Sequence, residues 1–141
     1  MKVFGIDVSK WNGDFDFSKA KSEGVKFAIL RGAYACEKDV RFESYYKACK
    51  GLQIPVGVYH YSMAKDVAEA RAEANFLIQN VLKGKQFEYP IYMDVEDNVQ
   101  KALGKDKLTE IVTAYCEKKE KAGYYVGIYS SGSFFGTYMH E

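Results

Sequence analysis

Five short apolar runs recur along the chain at Val3–Ile6, Phe27–Tyr34, Val56–Tyr61, Ile91–Val95 and Tyr125–Tyr129. Each is rich in β-branched or aromatic residues and is bounded by Gly, Pro or polar residues, as strands are. Between them the spacing turns helical. Phe42, Tyr45, Tyr46 and Cys49 stand at i, i+3, i+4 and i+7, one apolar stripe of a helix, and Gly51 follows as its expected stop. Val67, Ala70, Ala74, Leu77, Ile78 and Val81 make a second stripe ending at Gly84, and Leu108, Ile111, Val112 and Tyr115 a third ending at Gly123. A shorter helix is expected from about Phe17 to Glu23, with Asp16 as N-cap and Gly24 as stop. The order is βαβαβαβαβ. Strict alternation requires crossover connections, hence parallel pairing of right-handed units, and no tight hairpin turn is visible. The chain is therefore expected to be an α/β protein without an internal domain boundary.

Composition narrows the function. Twenty Lys+Arg against nineteen Asp+Glu leave a formal charge of +1, which gives no basis for a nucleic-acid partner held by bulk electrostatics. No apolar run approaches the ~20 residues of a membrane span, and the opening Met1-Lys2-Val3-Phe4-Gly5-Ile6-Asp7 lacks a signal-peptide core, so synthesis in the cytoplasm is expected. Cys36, Cys49 and Cys116 are odd in number and widely spaced, which speaks against disulfides and zinc and for reduced, mostly buried thiols. Twelve Tyr and nine Phe exceed what a small core needs, so some rings are expected to face a ligand.

Ligands of parallel α/β sheets bind at the carboxyl ends of the strands. The first strand ends in Asp7, and the fourth ends in a segment with Asp94 and Glu96, whose two-residue spacing places them on one face of the strand. Two carboxylates sharing a site raise one pKa and cost stability unless chemistry uses them. One protonated and one ionised acid is the requirement of glycoside hydrolysis. A D-x-E pair alone is equally compatible with a polar loop and a cap. Asp7 and the strand-end residues Arg31, Tyr34, Tyr59, Tyr61 and Tyr129 tilt the balance towards a sugar site. His60 shares parity with Val56 and Val58 and is expected to be structural. Trp11, the single tryptophan, follows Asp7 in a loop and suits either a stacking platform or a lid. No G-x-G-x-x-G or G-x-x-x-x-G-K-[ST] follows the first strand, so no nucleotide cofactor is expected. The acids have no His or Cys companions at ligand spacing, so no metal is expected either.

Gly5-Ile6-Asp7-Val8-Ser9-Lys10-Trp11-Asn12-Gly13, Phe27-Ala28-Ile29-Leu30-Arg31-Gly32, Val56-Gly57-Val58-Tyr59-His60-Tyr61-Ser62, Met93-Asp94-Val95-Glu96 and Gly127-Ile128-Tyr129-Ser130 together resemble glycoside hydrolase family 25, the Chalaropsis-type lysozymes and many phage endolysins. The resemblance implies a modified TIM-like β/α barrel of five βα units followed by three strands, of which residues 1–141 cover about the first five strands. It implies cleavage of the β-1,4 bond between N-acetylmuramic acid and N-acetylglucosamine in peptidoglycan, without a cofactor. By position, Glu96 matches the general acid, Asp94 the assisting carboxylate and Asp7 the N-terminal acid, while Arg31, Tyr61 and Tyr129 match groove positions. Glu96 is expected to hold the proton and Asp94 the charge, with either substrate-assisted retention or inversion through a water activated by Asp7. Further strands, with a further site Asp, are expected beyond Glu141, and an open barrel edge would favour self-association. Lack of a signal peptide fits endolysin-like release onto the bacterial cell wall. Two other readings stay open: a truncated remnant that binds wall glycan without cleaving it, and a complete five-stranded doubly wound domain of flavodoxin type.

Overall fold

A computed structural model describes residues 4–129. Five parallel strands form its sheet: β1 (Gly5–Val8), β2 (Phe27–Tyr34), β4 (Val56–Tyr61), β5 (Ile91–Asp94) and β6 (Val126–Tyr129), with a two-residue β3 (Glu37–Lys38) antiparallel on β2. The helices are α1 (Phe17–Ser22), α2 (Phe42–Gly51), α3 (Val67–Leu77), α4 (Asn98–Lys101) and α5 (Lys105–Lys121). The parallel strands lie side by side in chain order, β1-β2-β4-β5-β6. A doubly wound sheet reverses direction at a switch point, whereas a β/α barrel adds each strand beside the last. The monotonic order therefore removes the flavodoxin-type reading and agrees with the barrel.

Register explains the two faces. In the parallel ladders Ile6 pairs with Ala28, Val8 with Leu30, Ala28 with Val56, Leu30 with Val58, and Val58 with Ile91. These residues pack with Phe17, Phe42, Tyr45, Cys49, Leu77, Val81 and Leu82 in one core beneath the helices. Met93 and Val95 continue it against Ala70, Ala74, Leu108, Ile111 and Tyr115 between α3 and α5. The opposite parity, Asp7, Ile29, Tyr59, Tyr92 and Asp94, is left for the other face. Helix ends follow their local chemistry. Asp16 and Asp66 cap α1 and α3 by accepting from Lys19 N–H at 2.9 Å and Glu69 N–H at 2.8 Å.

Several expectations shift. The first strand runs to Val8, so Asp7 is its third residue rather than its last, while Val3 lies outside the described residues. Gly51 is the last residue of α2, and the left-handed turn falls to Gln53 at φ 58°. The third helix turns π-helical over Ile78–Leu82 before Gly84, at φ 77°, ends it. The hairpin-like β3 and the single turn α4 carry too few residues for a periodic signal. Of the cysteines only Cys49 is fully buried, and Cys36 is exposed. The loop expected at Ser130–Phe135 lies outside the described residues.

Gly32 lies where side chains of the third helix press on the sheet and the β2–β4 register shifts between Arg31 and Ala33. A Cβ there would stand 2.8 Å from Val58 Cγ1, 2.9 Å from Val81 Cγ1 and 3.0 Å from Leu77 Cδ1. Three buried side chains would have to shift together. Gly32→Ala is expected to lower stability by about 1–3 kcal/mol, read as a reduced urea midpoint at unchanged slope.

Candidate active site

Ladder pairing sets Asp7 beside Ile29, Tyr59 beside Tyr92, and Tyr61 beside Asp94. Asp7, Ile29, Tyr59, Tyr92, Asp94 and Glu96 line one cavity of about 370 Å³ at the carboxyl ends of the strands. All three acids singled out in the sequence thus meet there. Asp94 ends β5, and Glu96, just past the strand, lies near enough for its charge and a side-chain hydrogen bond to act on the Asp94 carboxyl.

Asp94 is 4% exposed, and its Oδ1 has no hydrogen-bond partner among the described residues. Burial, then the Glu96 charge and hydrogen bond, then the Asp7 charge push its carboxyl up to about 8. Carboxyls crowded into one desolvated site cannot all ionise at little cost, so the Asp94–Glu96 pair keeps one proton at rest. The carboxyl that burial raises is Asp94, whereas the sequence reading puts the proton on Glu96. The physical reason is position: Asp94 sits inside the sheet, while Glu96 is only half-buried in the loop beyond.

Phenols surround the acids. Burial raises Tyr59 to about 12, opposed by the nearby Arg31 charge and a hydrogen bond with Ser9. Tyr61 is also raised, by burial and by its bond to Asp97, so it stays a donor; its hydroxyl gives 2.9 Å to Asp97 Oδ2. Tyr34 stacks on Tyr61 with centroids 5.1 Å apart and planes at 8°. Neither Tyr34 nor Tyr61 lines the cavity itself.

Arg31 is not a cavity wall. Its Nε donates to Asp39 Oδ2 at 2.9 Å in a buried ion pair, and the same oxygen accepts from Lys10 N–H at 3.0 Å. Trp11 stands on a 3-10 turn (Lys10–Asn12), is 79% exposed, and has Lys10 Nζ 5.0 Å from its ring centroid. It too lies outside the cavity lining. Tyr129 occupies the β6 position paired with Asp94. Tyr92 was not singled out in the sequence, although its parity with Asp94 on one strand was the available signal. His60 is structural as expected: Nε2 faces the Ala35 carbonyl at 2.5 Å and so donates, leaving Nδ1 to accept from the Tyr115 hydroxyl at 2.7 Å.

The model for glycosyl hydrolases family 25 matches residues 6–141. Lysozyme M1 of Streptomyces globisporus is 33% identical over 79 residues, 55% of this chain and 26% of that protein. The autolytic lysozyme of Clostridium acetobutylicum is 24% identical over 132 residues, 93% of this chain and 39% of that protein. The modular autolysin LytC from Streptococcus pneumoniae superposes with a TM-score of 0.82 at 31% identity, covering 94% of this chain and 33% of LytC. The chain thus spans well under half the length of each of these relatives.

The Asp94 shift fixes a pH-dependent penalty. Below about pH 4 the carboxyl is protonated in folded and unfolded chains alike and costs nothing. From there to the folded value of about 8 only the unfolded chain ionises, so stability is lost as pH rises. Asp94→Asn removes that loss. Its melting temperature is expected to exceed wild type by several degrees at pH 7.5, with the difference vanishing near pH 4.

Proposed function

The chain belongs to glycosyl hydrolases family 25, and from that membership we propose that it hydrolyses peptidoglycan at the β-1,4 bond between N-acetylmuramic acid and N-acetylglucosamine. In this proposal residues 1–141 supply the first five strands of the catalytic barrel, and the cell wall is the place of action. The observation that carries it is the meeting of Asp7, Asp94 and Glu96 in one tyrosine-lined cavity, with one proton held by the hydrogen-bonded Asp94–Glu96 pair.

The proposed reaction follows from that proton. An N-acetylated sugar presents an acetamido N–H, which needs a carboxylate acceptor. Asp94 becomes that acceptor by passing its proton across the existing hydrogen bond to Glu96. Glu96 then gives the proton to the glycosidic oxygen as the C1–O bond breaks, and the acetamido carbonyl oxygen attacks C1 to form an oxazolinium ion. Water opens the ring at C1, losing its proton to Glu96. Inverting enzymes hold their two carboxyls about 6.5–9.5 Å apart to admit a water. Asp94 and Glu96 stand too close for that spacing, so an inverting route would have to take Asp7 as its base. Asp7, on the far side of the cavity lining, contributes negative charge that favours the cationic transition state. Tyr61, Tyr34, Arg31, Trp11 and Tyr129 are proposed to border the glycan path around it.

Release of reducing ends from purified Gram-positive peptidoglycan by the chain and by Glu96→Gln tests the assignment. The variant is expected to lose about 10²- to 10⁴-fold in rate, and undiminished release would sink the role of Glu96. Activity is expected to decline as pH rises past about 8, where the shared proton leaves the free protein. Proton NMR of the first product should show the β-anomer. An initial α-anomer would transfer the chemistry to a water activated by Asp7.

A further inference from the structure

The loop carrying Glu96 is held by side chains from outside it. At its start the Asp94 carbonyl accepts from Ser62 N–H at 3.0 Å. In its middle Asp97 accepts from the Tyr61 hydroxyl at 2.9 Å with one oxygen and from Val99 N–H at 3.0 Å with the other, capping α4. At its end Gln100 Nε2 donates to Ser62 Oγ at 3.0 Å and to the Ala64 carbonyl at 3.2 Å. Ser62 therefore grips both ends of the loop, once by its main chain and once by its hydroxyl. That hydroxyl also accepts from Ala64 N–H at 3.2 Å and donates to Glu73 Oε1 at 2.6 Å. Glu73 Oε2 accepts from Met63 N–H at 2.8 Å. Glu73, Ser62 and Gln100 are 3%, 0% and 0% exposed.

Counting donors shows why an acid stands at position 73. Both lone pairs of Ser62 Oγ are occupied, by Gln100 and by Ala64 N–H, so its proton must go to an acceptor. Met63 N–H needs an acceptor as well. A carboxylate offers two; a glutamine of the same shape offers one, and its amide would set donor against donor in a dry interior. No cation explains the acid: the titratable groups sharing its field are Glu69 on the same helix, Cys36, and Tyr115 on α5. Nor does Glu73 line the cavity, so it offers nothing to the reacting atoms.

We propose that Glu73 is a positioning residue of the acid pair, acting through Ser62 and Gln100 to hold the 94–100 loop so that Glu96 stays within hydrogen-bond reach of Asp94. The inference rests on the proposed use of that pair in catalysis, and two readouts separate it from that reading. Turnover is measured as reducing-end release by the whole chain, and the Asp94 carboxyl, faced by Glu96 and Asp7, is titrated by carbon-13 NMR without substrate.

Glu73→Gln is expected to lower kcat about 10- to 100-fold, with KM within about 2-fold of wild type, and to move the Asp94 titration down by the part that Glu96 contributes, burial still holding it above the ordinary carboxylate range. Gln100→Leu frees a lone pair on Ser62 for the amide of Gln at position 73, so the double variant should lose no more than the worse single variant. A Glu73→Gln protein that melts lower yet keeps wild-type kcat and Asp94 titration overturns the proposal. Should Glu73→Gln fail to fold, Gln100→Leu alone decides by the same two readouts, unchanged values overturning it. If wild type releases no reducing ends, the hydrolase reading fails. The Asp94 titration in the variants then still decides whether Glu73 positions the pair.

Discussion

Side-chain parity along five parallel strands is the constraint from which the rest follows. In a parallel ladder residues of like parity stand side by side across the whole sheet. Once Ala28, Leu30, Val56, Val58 and Ile91 are committed to the helix-covered core, the alternate positions are committed together to the other face. Asp7, Ile29, Tyr59, Tyr92 and Asp94 have no choice but to converge. A one-residue slip in any strand would exchange the two sets, burying carboxylates under α2 and α3 and opening valines to the cavity. The hydrophobic core thus selects the register, and the register assembles the site.

Convergence has an energetic cost that the fold carries locally. Asp94 is desolvated, lacks a partner at Oδ1, and faces two other acids. The pair avoids the worst of this by keeping one proton between two carboxyls, which is the form a glycosidase needs before substrate arrives. Stability and reactivity are therefore opposed at this residue, and the well-packed layers on the other side of the sheet offset the difference. Lys119 shows the same logic in a position without evident chemistry. Its Nζ is buried without a hydrogen-bond partner among the described residues, 5.0 Å from the Tyr115 ring centroid, and burial drives it towards the neutral amine.

Much of this was legible in the sequence because two periodicities report two environments. Phe27–Tyr34 and Val56–Tyr61 match the observed strands end to end, since both are buried on one face over their full length. The α2, α3 and α5 stripes were equally plain. What escaped has physical reasons. The left-handed turn at Gln53 instead of Gly51 depends on how far α2 can run before Ile54 N–H meets the Cys49 carbonyl, a tertiary matter. Strand order, which decides between barrel and doubly wound sheet, leaves no trace in local pattern. At the site, the acids Asp7, Asp94 and Glu96 stood out as charges among apolar residues, whereas Tyr92 was hidden among many tyrosines. Arg31 drew notice as a charge on a strand, yet its partner Asp39 lies beyond the turn, and only the folded chain shows the two closed on each other.

Partner counts sort the acids by what each can do. Asp39 receives three donors, Arg31 Nε, Lys10 N–H and Arg41 N–H, and so fixes the loop after β1 to the start of α2. Asp97 receives two, from Tyr61 and Val99, and Glu73 receives two, from Ser62 and Met63. Each is satisfied by protein groups that do not move, which is what a structural carboxylate requires. Among the described residues Asp94 alone of the buried acids has an oxygen left without a partner, and Asp94 lines the cavity. In the proposed reaction an acetamido N–H of the substrate is the donor that meets it. Sequence treats all these residues as equal acids; the distinction between those that build the frame and the one that waits for a ligand exists only in the hydrogen bonds of the folded chain.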